Sequence, residues 1–274
     1  MIRDITIGQY YPAKSILHRL DPRVKLVSTL LYLISLFLFR SISGYPVATL
    51  FLVCIIRMSK VPLSYIVKGL KPIIMLLLIT VLFNLFLTRD GDVLAHFWIF
   101  TITEGGLVTA VFMAVRLIYL IIGSSLMTFT TTPGELTDGL EDLLKPLNRI
   151  KVPVHEVAMM MSIALRFIPI LLEETDKIMK AQIARGADLE SGNMIQRAKS
   201  MIPILVPLFV SAFRRANDLA LAMEARCYHG GEGRTKMKPL RYHTRDFVTY
   251  VVVMVYVIAV FVIGRYVPLH IWIF

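Results

Sequence analysis

Residues 107–130 read LVTAVFMAVRLIYLIIGSSLMTFT, and this stretch decides the class of the protein. A helix needs about 20 consecutive apolar residues to cross the hydrocarbon core of a bilayer, and this run is long enough. Its single charged residue is Arg116. The run therefore predicts a helix that spans a membrane.

Further apolar runs extend this prediction to about five spanning helices. They cover residues 26–39, 44–56, 72–87 and 247–263. The first two are short for a span, so we interpret them as two helices joined by a tight turn around residues 41–46, with a re-entrant pair as the alternative. A soluble domain is usually about 45–50% apolar, whereas this chain is 56% hydrophobic. The composition thus agrees with a membrane protein.

The distribution of charge predicts the topology. The formal net charge is +11, and the basic residues flank the apolar runs, which indicates contact with lipid headgroups and not with nucleic acid. Segments 1–25 and 57–71 are basic, whereas the loop 89–105 is acidic. Because basic loops stay in the cytoplasm, we expect a bacterial inner-membrane protein with a cytoplasmic N-terminus. The predicted regions are a cytoplasmic N-terminal segment (1–25), a four-helix transmembrane region (26–130), a cytoplasmic region (131–246) and a C-terminal transmembrane helix (247–274).

The sequence of the cytoplasmic region predicts three amphipathic helices. The first follows Pro133, the second runs from about Pro153 to Arg185 with a kink expected at Pro169, and the third runs from about Asn193 to Arg226. The second and third both finish with alanine, arginine and a small residue. These triplets are Ala184, Arg185 and Gly186, and Ala225, Arg226 and Cys227.

Two interpretations of the triplets remain open. An arginine at a helix end projects beyond the helix, and its small neighbours allow a partner to approach, so each triplet is a candidate docking point. Alternatively, an arginine in the last turn opposes the helix dipole, and a glycine after it is an ordinary C-cap. The pattern alone does not decide between them.

Two further groups of residues have both a structural and a functional interpretation. His18, Arg19, Asp21 and Pro22 form either an interaction element or a capped helix start, since Asp21 suits the N-cap and Pro22 the first helical position. Arg116 is either a structural pair within the bundle or part of a substrate path, because charges inside a membrane are costly.

No catalytic, metal or nucleotide site is predicted for this chain. The six histidines are scattered, and the adjacent Glu173 and Glu174 do not face each other on a helix. The sequence contains no G-x-x-x-x-G-K-[ST] phosphate loop. We therefore expect no bound cofactor, and any energy from ATP has to come from a partner.

The residues resemble a known family over essentially the whole chain. Gly8-Gln9-Tyr10 and the segment 15–25, SILHRLDPRVK, are similar to the N-terminal signature of the T component of energy-coupling-factor transporters, the EcfT/CbiQ family. Ala184-Arg185-Gly186 resembles the first coupling motif of that family, and Ala225-Arg226-Cys227 the second, with cysteine where glycine is commoner. The run 230–235, GGEGRT, resembles the continuation.

The resemblance implies a non-catalytic subunit of an ATP-driven importer. It implies an all-α membrane protein with about five transmembrane helices and three long cytoplasmic coupling helices. Arg185 and Arg226 would dock into two ATP-binding-cassette subunits, EcfA and EcfA′, which bind ATP and Mg. The membrane helices would hold an S component, the substrate-binding membrane protein. The length and the run 230–235 are more similar to the shared vitamin-transporter type.

Two other functions compete with this expectation. A stand-alone secondary transporter or channel usually carries polar or broken membrane helices, whereas these spans are nearly free of charge. A membrane-embedded enzyme would need clustered His, Asp, Glu or Cys residues near an interface, and the sequence shows no such cluster. The transported substrate is not encoded in any motif of this chain.

Overall fold

The computed structural model describes residues 10–38, 43–88, 93–97, 100–187, 193–230 and 236–266. Over these residues the protein is helical apart from one short hairpin, which confirms the predicted all-α class. The helices are α1 (Pro22–Leu38), α2 (Gly44–Ser59), α3 (Leu63–Leu70), α4 (Ile74–Leu87), α5 (Glu104–Thr130), α6 (Pro133–Leu144), α7 (Val154–Ala184), α8 (Met194–Glu224) and α9 (Thr244–Tyr266).

The hairpin lies in the segment predicted as an acidic loop. Strands β1 (Val93–Phe97) and β2 (Phe100–Thr103) are antiparallel, with Phe97 opposite Phe100 and Val93 opposite Thr103. The pairing is irregular between Val93 and Ala95. The side chain of Thr103 then caps α5, because its hydroxyl accepts a hydrogen bond from the backbone N–H of Gly106 at 3.1 Å. Trp98, a residue type that is common at membrane interfaces, lies outside the described residues.

The helix boundaries differ from the predicted runs at the third span. The segment 57–71 was predicted as a basic loop, but it contains α3, whose Ile66 is buried. A turn of 3-10 helix at Lys71–Ile73 separates α3 from α4, and the two helices bend by 61° at this break. Pro72 explains the break, because proline has no backbone N–H to continue the helical hydrogen bonds.

Three described helices are long and apolar enough to cross a membrane, namely α5, α7 and α9. The bent pair of α3 and α4 raises the number to four if it forms one span, and α2 is a shorter apolar helix. Helix α7 passes this test by length and composition although we assigned it to the cytoplasm, so its location stays a prediction. It also continues through Pro169 as one helix, and a kink there stays a prediction.

The chain forms two compact units. The described residues up to 139 and from 240 onward belong to one, called here the membrane unit, and those between 140 and 239 to the other, called here the coupling unit. In the membrane unit, α1 packs against α5 and α9, and α2 packs against the same two helices. Their core contains stacked rings, with Phe51 and Tyr256 4.0 Å apart between centroids. The hydroxyls of Tyr256 and Ser35 lie 2.9 Å apart in this core.

A glycine allows α1 and α5 to approach closely. A Cβ atom added to Gly123 of α5 would lie 2.4 Å from a ring carbon of Tyr32, which is 3% exposed on α1. The Tyr32 hydroxyl in turn donates to the backbone carbonyl of Tyr119 at 3.3 Å. The contact therefore requires a residue without a side chain at position 123.

We expect Gly123→Ala to destabilise the membrane unit by about 1–3 kcal/mol, because the added methyl overpacks the Tyr32 ring. Thermal unfolding of the purified chain in detergent measures the effect. Gly134→Ala is the matched control, since a Cβ there meets nothing within 4 Å and alanine favours a helix. Equal unfolding temperatures for the two variants would contradict the close approach.

Candidate functional site

Helices α7 and α8 form an antiparallel pair in the coupling unit. Near the end of α7, Gln182 donates to the carbonyl of Pro203, close to the start of α8. Further back along α7, Glu174 accepts hydrogen bonds from Ser211 at 2.6 Å and from Arg215 at 2.6 Å. Because residue numbers fall on one helix as they rise on the other, the helices run in opposite directions.

Glu174 is the polar contact that joins the middle of this pair. Its Oε1 accepts from the Ser211 hydroxyl, and its Oε2 accepts from Nε and Nη2 of Arg215. The hydrogen bonds from Ser211 and Arg215 lower the pKa of the Glu174 carboxyl below its ordinary value. Sequence reasoning considered Glu174 only as half of an acidic pair, because its partners lie on another helix.

The first arginine triplet forms the C-cap of α7. Helix α7 ends at Ala184, and Gly186 has a positive φ of 86°. The N–H of Ala187 donates to the carbonyl of Gln182 at 3.0 Å, and the N–H of Gly186 to that of Ile183 at 2.9 Å. These two bonds define a Schellman motif, which satisfies carbonyls that the helix leaves free. Arg185 occupies the cap position itself.

The second triplet closes α8 in the same way. The N–H of Tyr228 donates to the carbonyl of Met223 at 3.1 Å, and the N–H of Cys227 to that of Glu224 at 2.8 Å. In this hydrogen-bond pattern Arg226 holds the position that Arg185 holds in α7, although helix α8 is assigned only as far as Glu224. Cys227 takes the place of the glycine with a φ of 55°, a left-handed conformation that costs a residue with a side chain about 1–2 kcal/mol.

Both arginines are available to a partner. All six triplet residues are exposed, and the guanidinium groups of Arg185 and Arg226 have no hydrogen bond or ion pair with any described residue. Arg226 lies beside Met159 and Ile163 near the start of α7, whereas Arg185 follows its end. At a rise of about 1.5 Å per residue, the helix between these levels measures roughly 35 Å. The two arginines thus mark opposite ends of the pair.

A cleft lies beside Arg226 within the coupling unit. It has a volume of about 610 Å³ and is bordered by Met159, Arg166 and Met223 besides Arg226 itself. Met159 and Arg166 belong to α7, Met223 belongs to α8 and Arg226 follows α8, so the antiparallel pairing creates the cleft. Arg166 was not singled out from the sequence, because its position on α7 becomes relevant only when α8 lies beside it.

The pair also exposes apolar side chains. On α8, Ile202, Val206, Phe209 and Phe213 are each more than half exposed and recur at helical spacing along one face. On α7, Met160 is 58% exposed. A row of this kind is unusual for a surface that faces only water, and it indicates contact with another protein or with lipid.

A buried ion cluster holds the start of α7. Glu141 of α6 is 8% exposed, and its Oε1 lies 2.9 Å from Nδ1 of His155 on α7. Its Oε2 lies 2.7 Å from Nζ of Lys236. Burial alone raises the pKa of Glu141, but the hydrogen bonds from His155 and Lys236 outweigh it and lower the pKa below its ordinary value. The cluster therefore stabilises the folded coupling unit at a pH above the ordinary pKa of glutamate, and this contribution is lost as the pH falls through the lowered pKa of Glu141.

The predicted N-terminal element lies in the membrane unit and caps α1. Asp21 Oδ1 accepts from the backbone N–H of Arg23 at 2.9 Å, and Pro22 is the first helical residue, as the capping interpretation predicts. The His18 ring bonds to Ser15 Oγ at 2.6 Å and to the carbonyl of Tyr11 at 2.9 Å. Arg19 is exposed.

Asp246 completes this element and was missed from the sequence. It is fully buried, and its Oδ1 accepts from the backbone N–H of Asp21 at 3.0 Å. Its Oδ2 accepts from the N–H of His243 at 2.7 Å, at the start of α9. Arg23 also lies 4.0 Å over the ring of Tyr242. The partners are separated by more than 200 residues, so no local pattern reveals them.

Arg116 is packed inside the membrane unit. It is 6% exposed, its Nη1 lies 4.0 Å from the sulfur of Met113, and its guanidinium lies 5.8 Å from the centre of the Phe37 ring. It also hydrogen-bonds the side chain of Tyr45. These contacts with α1, α2 and its own helix fit the structural interpretation of Arg116.

Comparison with known proteins gives a consistent family. The family model described as CbiQ, cobalt transport protein, matches residues 13–237. The energy-coupling factor transporter transmembrane protein EcfT of Clostridium kluyveri is 59% identical over 90% of this chain and 92% of its own length. The EcfT proteins of Ruminiclostridium cellulolyticum and Bacillus subtilis are 54% and 50% identical, each over 94% of this chain and over 99% and 97% of their own lengths.

Substitution of the last residue of each triplet tests the cap geometry. We expect Cys227→Gly to slow amide hydrogen exchange at positions 227 and 228 about fivefold or more, because glycine adopts positive φ without the cost of about 1–2 kcal/mol. Gly186→Cys, where a Cβ meets nothing within 4 Å, should accelerate exchange at the end of α7. Unchanged exchange in both variants would contradict the shared cap.

Proposed function

Because the chain belongs to the CbiQ/EcfT family of transmembrane components of energy-coupling-factor transporters, we propose that it is the scaffold and coupling subunit of an ATP-driven importer. In this role it transmits the movement of two ATP-binding-cassette subunits to a substrate-binding S component. The substrate is a vitamin or another micronutrient that the S component selects. ATP and Mg²⁺ are bound by the ATPases, and this chain contributes no catalytic residue.

The observation that carries the proposal is the repeated cap. Arg185 and Arg226 occupy the same position of the same backbone motif at opposite ends of one helix pair. A Schellman cap fixes the backbone from which each arginine projects, so the guanidinium starts from a defined place. A separation of roughly 35 Å suits two binding grooves on two subunits better than one groove. Each arginine therefore serves one ATPase.

A carboxylate in each groove is the matching chemistry. Guanidinium pairs with a carboxylate through two parallel hydrogen bonds, and the exposed alanines beside each arginine leave room for such a group. The cleft beside Arg226 adds a second cation, Arg166, and apolar walls. This side of the pair thus suits an acidic side chain flanked by apolar ones.

The exposed apolar row on α8 is the proposed contact for the S component. A membrane protein that changes its orientation needs a surface on which it slides, and apolar contacts have no fixed direction. Exposed methionines such as Met160 on α7 are flexible and adapt to several partners. One chain can therefore serve several S components, as in the shared type of transporter.

The proposed location is the bacterial inner membrane. The N-terminal segment and residues 131–246 lie in the cytoplasm, where the ATPases bind, and the C-terminus lies outside. This topology follows from the basic segments 1–25 and 57–71 and the acidic segment 89–105.

Single and double arginine variants test the coupling role. We expect Arg185→Ala to lose one ATPase subunit and Arg226→Ala to lose the other, because breaking a desolvated charge pair costs about 2–5 kcal/mol. The double variant should lose both ATPases and all uptake while remaining inserted. Co-purification from membranes, followed by identification of each ATPase by mass spectrometry, measures the result.

Arg214→Ala is the matched control for these variants. Arg214 is exposed on α8, away from either triplet, so its removal should leave the complex intact. Co-purification of both ATPases with the double variant at the normal yield would reject the coupling role. Uptake by the purified chain alone in vesicles would instead identify a stand-alone transporter.

The native cysteines test the topology. Cys54 and Cys227 are both free and exposed, so Cys54→Ser leaves one reactive thiol in the coupling unit. We expect Cys227 to react with a membrane-impermeant maleimide in inside-out vesicles, and not in intact spheroplasts. The opposite labelling pattern would place α7 and α8 on the outer side and exclude contact with cytoplasmic ATPases.

A further inference from the structure

The membrane unit contains a large apolar cavity that the proposed function does not use. Its volume is about 520 Å³, within the range of sites that hold small ligands. Helices α1, α2, α5 and α9 all contribute to its wall. Most of the lining is apolar, as at Tyr32, Phe51, Leu126 and Val253.

Two cations border the cavity. Lys25 lies in the first turn of α1 and Arg245 in the first turn of α9. The Lys25 ammonium donates to the carbonyl of Thr130 at 2.8 Å and to that of His18 at 3.2 Å, which leaves one of its three protons for another acceptor. Arg245 is exposed, and its guanidinium has no hydrogen bond or ion pair with any described residue.

The nearby carboxylates are already engaged. Asp21 binds Arg23 through both oxygens, and Asp246 accepts from the backbone N–H groups of Asp21 and His243. Glu135, Asp21 and Asp246 all attract the Lys25 charge, but within the described part of the chain none of the three forms a close ion pair with Lys25 or Arg245. The Ser28 hydroxyl also borders the cavity, and it is shielded from solvent without a hydrogen-bond partner among the described residues. One proton of Lys25, the Arg245 guanidinium and the Ser28 hydroxyl can therefore donate hydrogen bonds to an anion at this edge of the cavity.

We propose that this cavity binds an anionic phospholipid, with its phosphate between Lys25 and Arg245 and an acyl chain along the apolar wall. Basic pockets between membrane helices on the cytoplasmic side suit such headgroups. This inference rests on the proposed topology, in which the N-terminus and the start of α1 lie on the cytoplasmic side. The phosphate accepts hydrogen bonds from the remaining Lys25 proton and from the Ser28 hydroxyl. The acyl chain covers apolar wall that the four helices leave open.

The dimensions favour an acyl chain over a helix of a partner protein. A helix about 10 Å across takes up roughly 400 Å³ for each turn, so a cavity of about 520 Å³ holds little more than one turn. A single flexible chain enters such a space without displacing α1 or α5. The charge at one edge and the apolar wall beyond it also match a molecule with one anionic end.

Native mass spectrometry of the full chain in neutral detergent tests the proposal with phosphatidylglycerol and phosphatidylcholine as probes. We expect one phosphatidylglycerol molecule to bind at least fivefold more tightly than phosphatidylcholine. Arg245→Gln should remove most of this preference. Arg265→Gln, which removes the same charge from the last turn of α9, should retain it.

A second variant and a competitor test the role of the apolar wall. Val253→Phe fills part of the cavity without removing a polar group, and it should weaken binding of both lipids. Equal binding of the two lipids, or equal effects of Arg245→Gln and Arg265→Gln, would overturn the proposal. Displacement by glycerol phosphate at the concentration of the lipid would also overturn it, because the apolar wall would then contribute nothing.

Discussion

The buried carboxylate of Asp246 accepts hydrogen bonds from the backbone N–H groups of Asp21 and His243, and so it ties the start of α1 to the start of α9. The chain leaves the membrane unit after residue 139 and returns at residue 240. A long insertion between two helices of one bundle requires that they find each other in a fixed register. A fully buried charge supplies this register, because it is tolerated only where donors satisfy it. Asp246 thus accepts from the residue before each helix, and Asp21, one of these two residues, in turn caps α1.

In the coupling unit, a few hydrogen bonds likewise hold α7 and α8 in place. Backbone hydrogen bonds at each C-terminus fix the two arginines, and Glu174 joins the helices between them through Ser211 and Arg215. The triplets therefore have the geometry of the cap interpretation, and the docking interpretation stays a prediction. Each cap fixes the backbone from which its arginine projects, which is what the proposed docking requires.

Local patterns predicted a large part of this molecule. The α5 span, the Asp21 cap and the ends of α7 and α8 could be found because hydrophobic length, capping residues and glycine act on neighbouring residues. Helix α3 was missed because it is too short to stand out from a basic loop. The bonds of Asp246, Glu141 and Glu174 could not be found, because each joins elements whose proximity is a property of the fold.

The antiparallel course of α7 and α8 has a mechanical consequence. Forces applied at Arg185 and Arg226 act at the two ends of a single rod, so opposed displacements produce a torque, and the rod turns instead of shifting. The contact of Glu174 with Ser211 and Arg215 lies between these ends. It opposes sliding of α7 along α8, so the pair can turn as one body. A chain with both arginines at one end would transmit only a push or a pull, whereas in the proposed coupling role the closing of two subunits would turn this helix pair.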